Sequence, residues 1–517
     1  MKKLVTYISV SAIIITSGCK KDMLEISNPN SITTDNFWKT GDDAIAGVNA
    51  IYSTLHRGGI SRWQWFYYEI RSDIGTSTSP ATDIINNMDI FNINDYNYGN
   101  TVGVYADNYI GINRANQVLD NVPSIDMDEN LKKRILGEAH FMRALFYYHL
   151  ATLFGNVPLI LESNNPEFIP GNTPQSQVFD QIIIDLNEAV SLLPKKSEYS
   201  SEDLGRATKG AAQALLAKTH MQKGEYQLAI TPLAWFFSGD GAGEYSLMPN
   251  YRDNFLITSE NNAESVFEWQ FEINTTETND NDIEPNHNYG TSISKFLSPK
   301  PVGFADGEAL RWVVDEFKQD LTTGGSRDPR LAASFLFDST NVNGPTQTDV
   351  YGQTWQTRKN SGTLAEGVFF HKFLNDHWRN TESFRSNNNY RQIRFADIML
   401  LYAECLNATG ATGQSYQYVD MVRERAGLAA LSVTKPGLGP DAFLEQLKHE
   451  RITELSGEGH RFTDLIRWGD LSTQVRVNKV ALRDPAFNNF EIDKHELLPI
   501  PQLDLDQNNN LDQNPGY

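Results

Sequence analysis

Three polar groupings have residue types and spacings that chemistry could use. Glu450, Arg451, Glu454, Glu458, His460, Arg461 and Asp464 crowd carboxylates, guanidiniums and an imidazole into one short run, the ingredients of general acid and base work. Glu450 and Glu454 stand one helical turn apart with arginines alongside, however, which is the spacing of a structural ion-pair network. Asp504, Asp506, Asn508 and Asp512 imitate a calcium loop, but Asn509 stands where that loop needs glycine and Pro515 where it needs a bidentate glutamate. Asp280, Asp282 and Glu284 form a looser acidic cluster, read as a solvated loop with a calcium site as the alternative. There is no H-E-x-x-H, no G-x-S-x-G and no P-loop. No cofactor, no metal and no catalysis are expected.

The fourth grouping is at the start of the chain. Lys2 and Lys3 precede an apolar run from Leu4 to Ile15, and Ser17-Gly18 stand immediately before Cys19. A basic segment, a short apolar core and small residues at the cut make a secretory leader, and the run falls short of the ~20 apolar residues of a spanning helix. Cys19 is the expected lipidation site, so residues 1–18 are a lipoprotein signal peptide and residues 19–35 a polar tether. Cys405 lies in an apolar stretch and reads as a small buried hydrophobe.

Composition narrows the class further. With 65 acidic against 44 basic residues the formal charge is −21, a field that repels phosphate backbones and gives nucleic acid no footprint. The chain's 517 residues can bury a large core. Once Cys19 carries lipid, only Cys405 remains and no internal disulfide can form.

Helical periodicity must position whatever site there is. Apolar residues recur at three- and four-residue spacing over residues 42–55, 104–122, 129–154, 173–193, 207–222 and 226–237. Residues 138–154 are apolar almost all round, as in a helix with neighbours on every side. Thr173-Pro174 reads as a helix start, a capping hydroxyl followed by proline at the first helical position. Residues 207–229 place small side chains along one helix, break at Lys223-Gly224 and resume, in the manner of a tetratricopeptide pair, and residues 393–426 repeat the pattern. Residues 238–390 are rich in Gly, Asn, Asp and Thr. The fold class is mainly α, with a tetratricopeptide-like scaffold at 36–237 and 391–475 and a large irregular, ligand-binding lobe mainly at 238–390.

Seven segments in order carry a resemblance. "NRAN" at 113–116, "GEAHFMRALFYYHLATLFGNVPLI" at 137–160, "RDPRL" at 327–331, "IRFADIMLLYAECLNATG" at 393–410, "VDMVRERAGL" at 419–428, "ERITELSGEGHRFTDLIRWGDL" at 450–471 and the closing "LLPIPQLDLDQNNNLDQNPGY" resemble landmarks of the SusD/RagB family. The resemblance implies a surface-exposed outer-membrane lipoprotein that captures oligo- or polysaccharide and lids a SusC-like TonB-dependent transporter. These motifs mark the scaffold and leave the binding site open. The alternatives are a surface glycoside hydrolase and a helical-repeat adaptor without ligand.

Sugar rings stack their C–H faces on aromatic planes, and their hydroxyls need fixed polar partners. "RWQWFYY" at 62–68 follows Gly58-Gly59. In an extended conformation either Trp63, Trp65 and Tyr67 or their alternates face solvent, and family glycan contacts commonly come from this loop, just upstream of a Tyr-Glu pair matched by Tyr68-Glu69. Arg62, Trp63 and Trp65 are therefore candidates, with burial in the core as the alternative. In a short helix over 306–317, Leu310, Val313, Val314 and Phe317 form the apolar stripe and Trp312 points away from it. Sugar stacking is the reading taken for Trp312, against partner contact or burial, with Trp65 expected across the site from it. Asp306 is the candidate acceptor for sugar hydroxyls, and Tyr96 and Tyr98 in "DYNYGN" are further aromatics. The acidic surface favours a neutral glycan, and spaced tryptophans suit a β-glucan such as laminarin.

Overall fold

A computed structural model describes residues 37–80, 83–163, 165, 167–273, 289–338, 349–355, 357 and 367–517. Cys19, the leader, the tether and the 280–284 acidic cluster lie outside the described residues. Helix α1 (Gly41–Ser53) starts on a capping box, with the Asp43 carboxylate accepting from the Thr40 amide at 2.7 Å. A π-helical turn, Gly59–Trp63, then runs into α2 (Gln64–Glu69).

The extended reading of residues 62–68 is thus replaced by a helix. Its apolar side chains have neighbours on every side, so alternation sorts nothing. Gly59 makes the docking close: a Cβ there would sit 2.3 Å from the Gly103 carbonyl oxygen.

The scaffold is a stack built from chain neighbours. Helix α3 (Gly99–Asn121) packs on α1 and the π-helical turn, and α4 (Glu129–Phe154), α5 (Gln175–Leu192), α6 (Lys209–Gln222) and α7 (Tyr226–Ala234) each pack on the one before. Asp128 caps α4 and Thr208 caps α6 through their side chains. The start of α5 differs from expectation. Thr173 bridges to Val157 instead, and the first helical amide, of Gln175, is taken by the Asn156 side chain at 2.8 Å. Within α4, residues 137–139 and 141–154 are all buried, and the buried Arg143 is bidentate on Asp185 at 2.9 and 2.6 Å.

After α7 the chain leaves the stack, crosses α8 (Arg311–Glu316) and returns as α9 (Phe395–Ala408), which packs directly on α7. Helices α10 (Thr412–Arg425) and α11 (Pro440–Leu455) continue on α9, followed by α12 (Arg461–Arg467) and α13 (Gln474–Ala481). The strands are short. In antiparallel pairs, β1 (Gly75–Ser77) meets β3 (Gly307–Ala309), β2 (Ser265–Trp269) meets β8 (Tyr390–Arg394), β4 (Phe335–Leu336) meets β7 (Phe369–Phe370), and β5 (Asp349–Val350) meets β6 (Gln353–Thr354). The β2–β8 ladder closes the neck of the excursion. Among the described residues no helix is long and apolar enough to cross a membrane.

The charged run at 450–464 is the internal brace. Glu454 meets Arg330, Arg394 and Arg425. Burial alone would raise its pKa, but those guanidiniums bring it down to about 2. Glu458 holds Lys372 and Arg394, and Arg451 joins Asp397 to Asp464. Removing one partner of such a buried set typically costs ~3–5 kcal/mol, which is how the run serves the fold. Burial pushes the Cys405 thiol up, out of reach of thiolate chemistry at neutral pH.

Candidate functional site

The segment after α2 is anchored by Glu69. Its fully buried carboxylate accepts from the Gly457 and Gly459 amides at 2.6 and 2.9 Å, on glycines whose φ values of 87° and 75° disfavour a side chain. Burial raises the Glu69 pKa to about 7 in spite of those two donors. The Trp65 indole N–H donates to the Gly457 carbonyl at 2.9 Å, and the Tyr390 hydroxyl donates to that of Glu458. Trp65 is 3% exposed with its ring against Phe66 and Phe370. It is a core residue, not a stacking platform, and it does not face Trp312 across a site.

From this anchor the chain enters the β1–β3 ladder, whose two ends present different chemistry. At one end Asp73 is bidentate with Arg461 at 2.7 and 2.9 Å, and its carbonyl accepts from the Trp312 indole at 2.6 Å. The expected helix over 306–317 is shorter, Arg311–Glu316, because Gly307–Ala309 pairs as a strand; Val313, Val314 and Phe317 are buried as expected, Leu310 precedes the helix half-buried, and Trp312 lies off the stripe, half-buried. Its ring is not free, however, because the Arg483 guanidinium covers it at 4.9 Å.

At the other end, the Thr78 hydroxyl donates to the Ala305 carbonyl, and that of Ser79 to Asp306 Oδ1 at 3.1 Å. Burial raises the Asp306 pKa against the Ser79 bond. Behind this carboxylate the rings are continuous. Trp63 meets Phe296 at 5.3 Å, Phe296 meets Phe304 at 5.3 Å, and Phe304 meets Phe384 at 5.7 Å. Arg62 is sandwiched between Trp63 and Phe296, 4.2 and 4.4 Å from their centroids, and donates to Ser292 at 2.9 Å. Buried there, Arg62 holds the rings in place and is not itself a ligand contact.

Phe304 reaches solvent at 37% exposure. A tight turn pushes it out: a Cβ on Gly303 would collide with Ser298 Oγ at 1.8 Å, and Ala305 adopts φ 54°. Lys295 lies over the ring at 5.2 Å and ties the turn to the 375–386 loop through the Glu382 carbonyl. That loop also carries Trp378, 40% exposed, with Arg379 over its ring. Trp63, Asp306 and the supporting Arg62 thus come together, while Trp65, Trp312 and Tyr96 do not join them. Tyr96 sits against Tyr517 at 5.7 Å and accepts from the Gln502 amide. Phe296, Phe304, Phe384 and Trp378 were not among the residues singled out from sequence. "PVGFADG" carries the signal for this turn, an aromatic between a proline-glycine pair and an acid.

Among the described residues one cluster has the geometry of metal ligands: Asp320, His449 and Glu450. It is already satisfied by cations. Burial disfavours charge on His449, yet its bonds to Asp320 and Glu316 push its pKa up to about 9, so both ring nitrogens donate. Arg423 bonds Asp320 and Glu450 as well. The calcium-like C-terminal run is also structural, with Asn508 and Asp512 tied to Pro170 and Asn172.

The sequence profile described as the SusD family matches residues 219–517, more than half of the chain. The chain belongs to the SusD family. A second profile, described as starch-binding and associating with the outer membrane, matches residues 22–221. Among curated proteins, SusD-like protein P25 of Formosa agariphila is 28% identical over 94% of each chain. Among solved structures, a laminarin-binding SusD-like protein is 28% identical, with a TM-score of 0.75 over 93% of this chain and all of that one. A SusD superfamily protein of Bacteroides vulgatus aligns with a TM-score of 0.78 at 24% identity, over 93% and 100%. SusD family proteins are carbohydrate-binding and non-catalytic, which agrees with a charged run spent on internal bracing.

Proposed function

We propose that this SusD-family protein captures a neutral glycan on the Phe304 face and delivers it to a SusC-like TonB-dependent transporter, held at the outer-membrane surface by lipid on Cys19. The observation that carries the reading is Phe304, an aromatic face pushed into solvent beside Asp306, whose carboxylate has one hydroxyl partner. The ring stacks a pyranose, Asp306 accepts from its hydroxyls, and Trp63, Phe296 and Phe384 form the backing that keeps the platform rigid. Trp378, on the adjoining loop, supplies a second ring for a longer chain. A β-glucan such as laminarin is the substrate taken, supported by the laminarin-binding relative and by the acidic surface. The outer-membrane association in the matched profile's description supports the location.

The domain plan follows: residues 1–18 a leader, 19–35 a tether, and the rest one SusD-like domain whose 238–390 lobe supplies the site. Calorimetric titration with laminarin oligosaccharides is the test. Saturable binding without new reducing ends is expected, and absence of binding to any neutral glucan defeats the reading. Mild detergent extraction should also bring out a large β-barrel protein with it, and Cys19→Ala should free it from the membrane.

A further inference from the structure

A cavity of about 480 Å³ lies between α11, α12 and α13, at the Trp312 end of the β1–β3 ladder and apart from the Phe304 face. That volume falls within the roughly 300–1,000 Å³ of small-molecule sites. Its walls are charged, and most of the charge is already paired. Asp73 is taken by Arg461, Glu316 by His449, and Asp470 and Glu445 by Lys448. Three other cations line it: Arg476, Lys479 and Arg483.

They follow one another at helical spacing along α13 and just beyond it, while Val477 and Val480 on the same helix are buried. Among the described residues the Arg476 side chain donates to the Trp468 and Gly469 carbonyls, the Lys479 ammonium has no partner, and Arg483, lying over the Trp312 ring, stands 3.8 Å from Asp73. Deeper in, Arg461, 94% buried, keeps Nη1 without a hydrogen-bond partner, which is costly unless something accepts from it. On a chain of net charge −21, three cations, none of them hydrogen-bonded to a carboxylate, in a recess with low-dielectric walls select for a bound anion.

The rest of the lining says what the anion is attached to. Leu444, Val480 and Trp468 give apolar surface, and the Asp441 carboxylate, without an ion-pair partner among the described residues, faces the same space. An acid group at one end, a C–H body and hydroxyl donors at the other describe an acidic sugar. We propose that this cavity binds a saccharide residue bearing a carboxylate or sulfate, with Arg476, Lys479 and Arg483 holding the acid group, the buried Arg461 adding positive charge behind them and Asp441 accepting a hydroxyl proton. The site stands whether or not the Phe304 face takes a neutral glycan.

The test titrates the whole chain with methyl glucuronide and glucose 6-sulfate, and with glucose, sodium sulfate and a glutamate-rich decapeptide as comparisons. The acidic sugars should bind saturably, at least tenfold tighter than glucose or inorganic sulfate, and more weakly as added salt shortens the Debye length below about 8 Å. Lys479→Ala with Arg483→Ala, both on exposed positions, should lower that affinity tenfold or more while the melting temperature stays near the parent's and laminarin binding is unchanged. Several results overturn the proposal: no binding of either acidic sugar, equal binding of glucose or sulfate, tighter binding of the peptide, or unaltered affinity in the double variant.

Discussion

Phe304 is where the binding reading meets its sharpest trial, because its ring serves two purposes that can be separated. A phenylalanine side chain offers about 200 Å². At 37% exposure about 70 Å² of it faces solvent, and covering that area with a sugar at about 25 cal/mol per Å² is worth about 1.8 kcal/mol, roughly twentyfold in affinity. The remaining two thirds, about 130 Å², packs on Phe296 and Phe384, so Phe304→Ala should also cost about 3 kcal/mol of stability. Phe304→Leu separates the two, since leucine refills much of the packing yet has no flat face. The assay is a pair of measurements on each variant, melting temperature and calorimetric titration with a laminarin oligosaccharide. Near-parental stability with affinity down about tenfold or more in Phe304→Leu is the expected result. Unchanged affinity in a folded Phe304→Leu protein would refute the stacking role.

Two further outcomes concern the frame behind the site. Glu69 has a folded pKa near 7 against an ordinary 4.5, so its stabilising effect is full below pH ~4.5 and is lost as pH rises through 7, by about 3 kcal/mol. Glu69→Gln, which leaves a glycine amide without an acceptor, should be markedly destabilised at pH 5, and its gap from the parent should narrow by pH 8 in chemical denaturation. A constant gap would mean the carboxyl is not held as described. His449 runs at higher pH, its pKa raised from 6.5 to about 9. Its contribution is complete below pH 6.5 and lost as pH rises through 9, so the parent should lose about 3 kcal/mol more than His449→Gln between pH 6 and pH 10, and parallel losses would contradict the ion pairing.

The scaffold was legible because its signal is local. The length and all-round apolarity of residues 138–154 already imply a helix with neighbours on every side, and the break at Lys223-Gly224 falls between α6 and α7 as observed. The site was less legible because its geometry comes from distant chain. Trp65 and Trp63 are two residues apart in one aromatic run, and composition cannot say that a carbonyl 392 residues onward claims one while the other meets Phe296. Helical spacing does put Trp312 off the apolar stripe, but the arginine that covers it arrives from beyond α13. Phe304 depends on a turn whose tightness shows only once Ser298 is in place.

The excursion between α7 and α9 leaves and rejoins the stack at one spot, where α7 and α9 touch and β2 clasps β8. The scaffold therefore contains a socket. What is plugged into it can change in length at small expense, since each doubling of a flexible connection adds only ~0.6 kcal/mol of closure entropy. Helices that must stay in register and loops that are free to vary are thereby uncoupled. A chain built this way can lengthen, shorten or exchange the segment between α7 and α9 like a cassette while the surface formed by α3 to α7 stays constant.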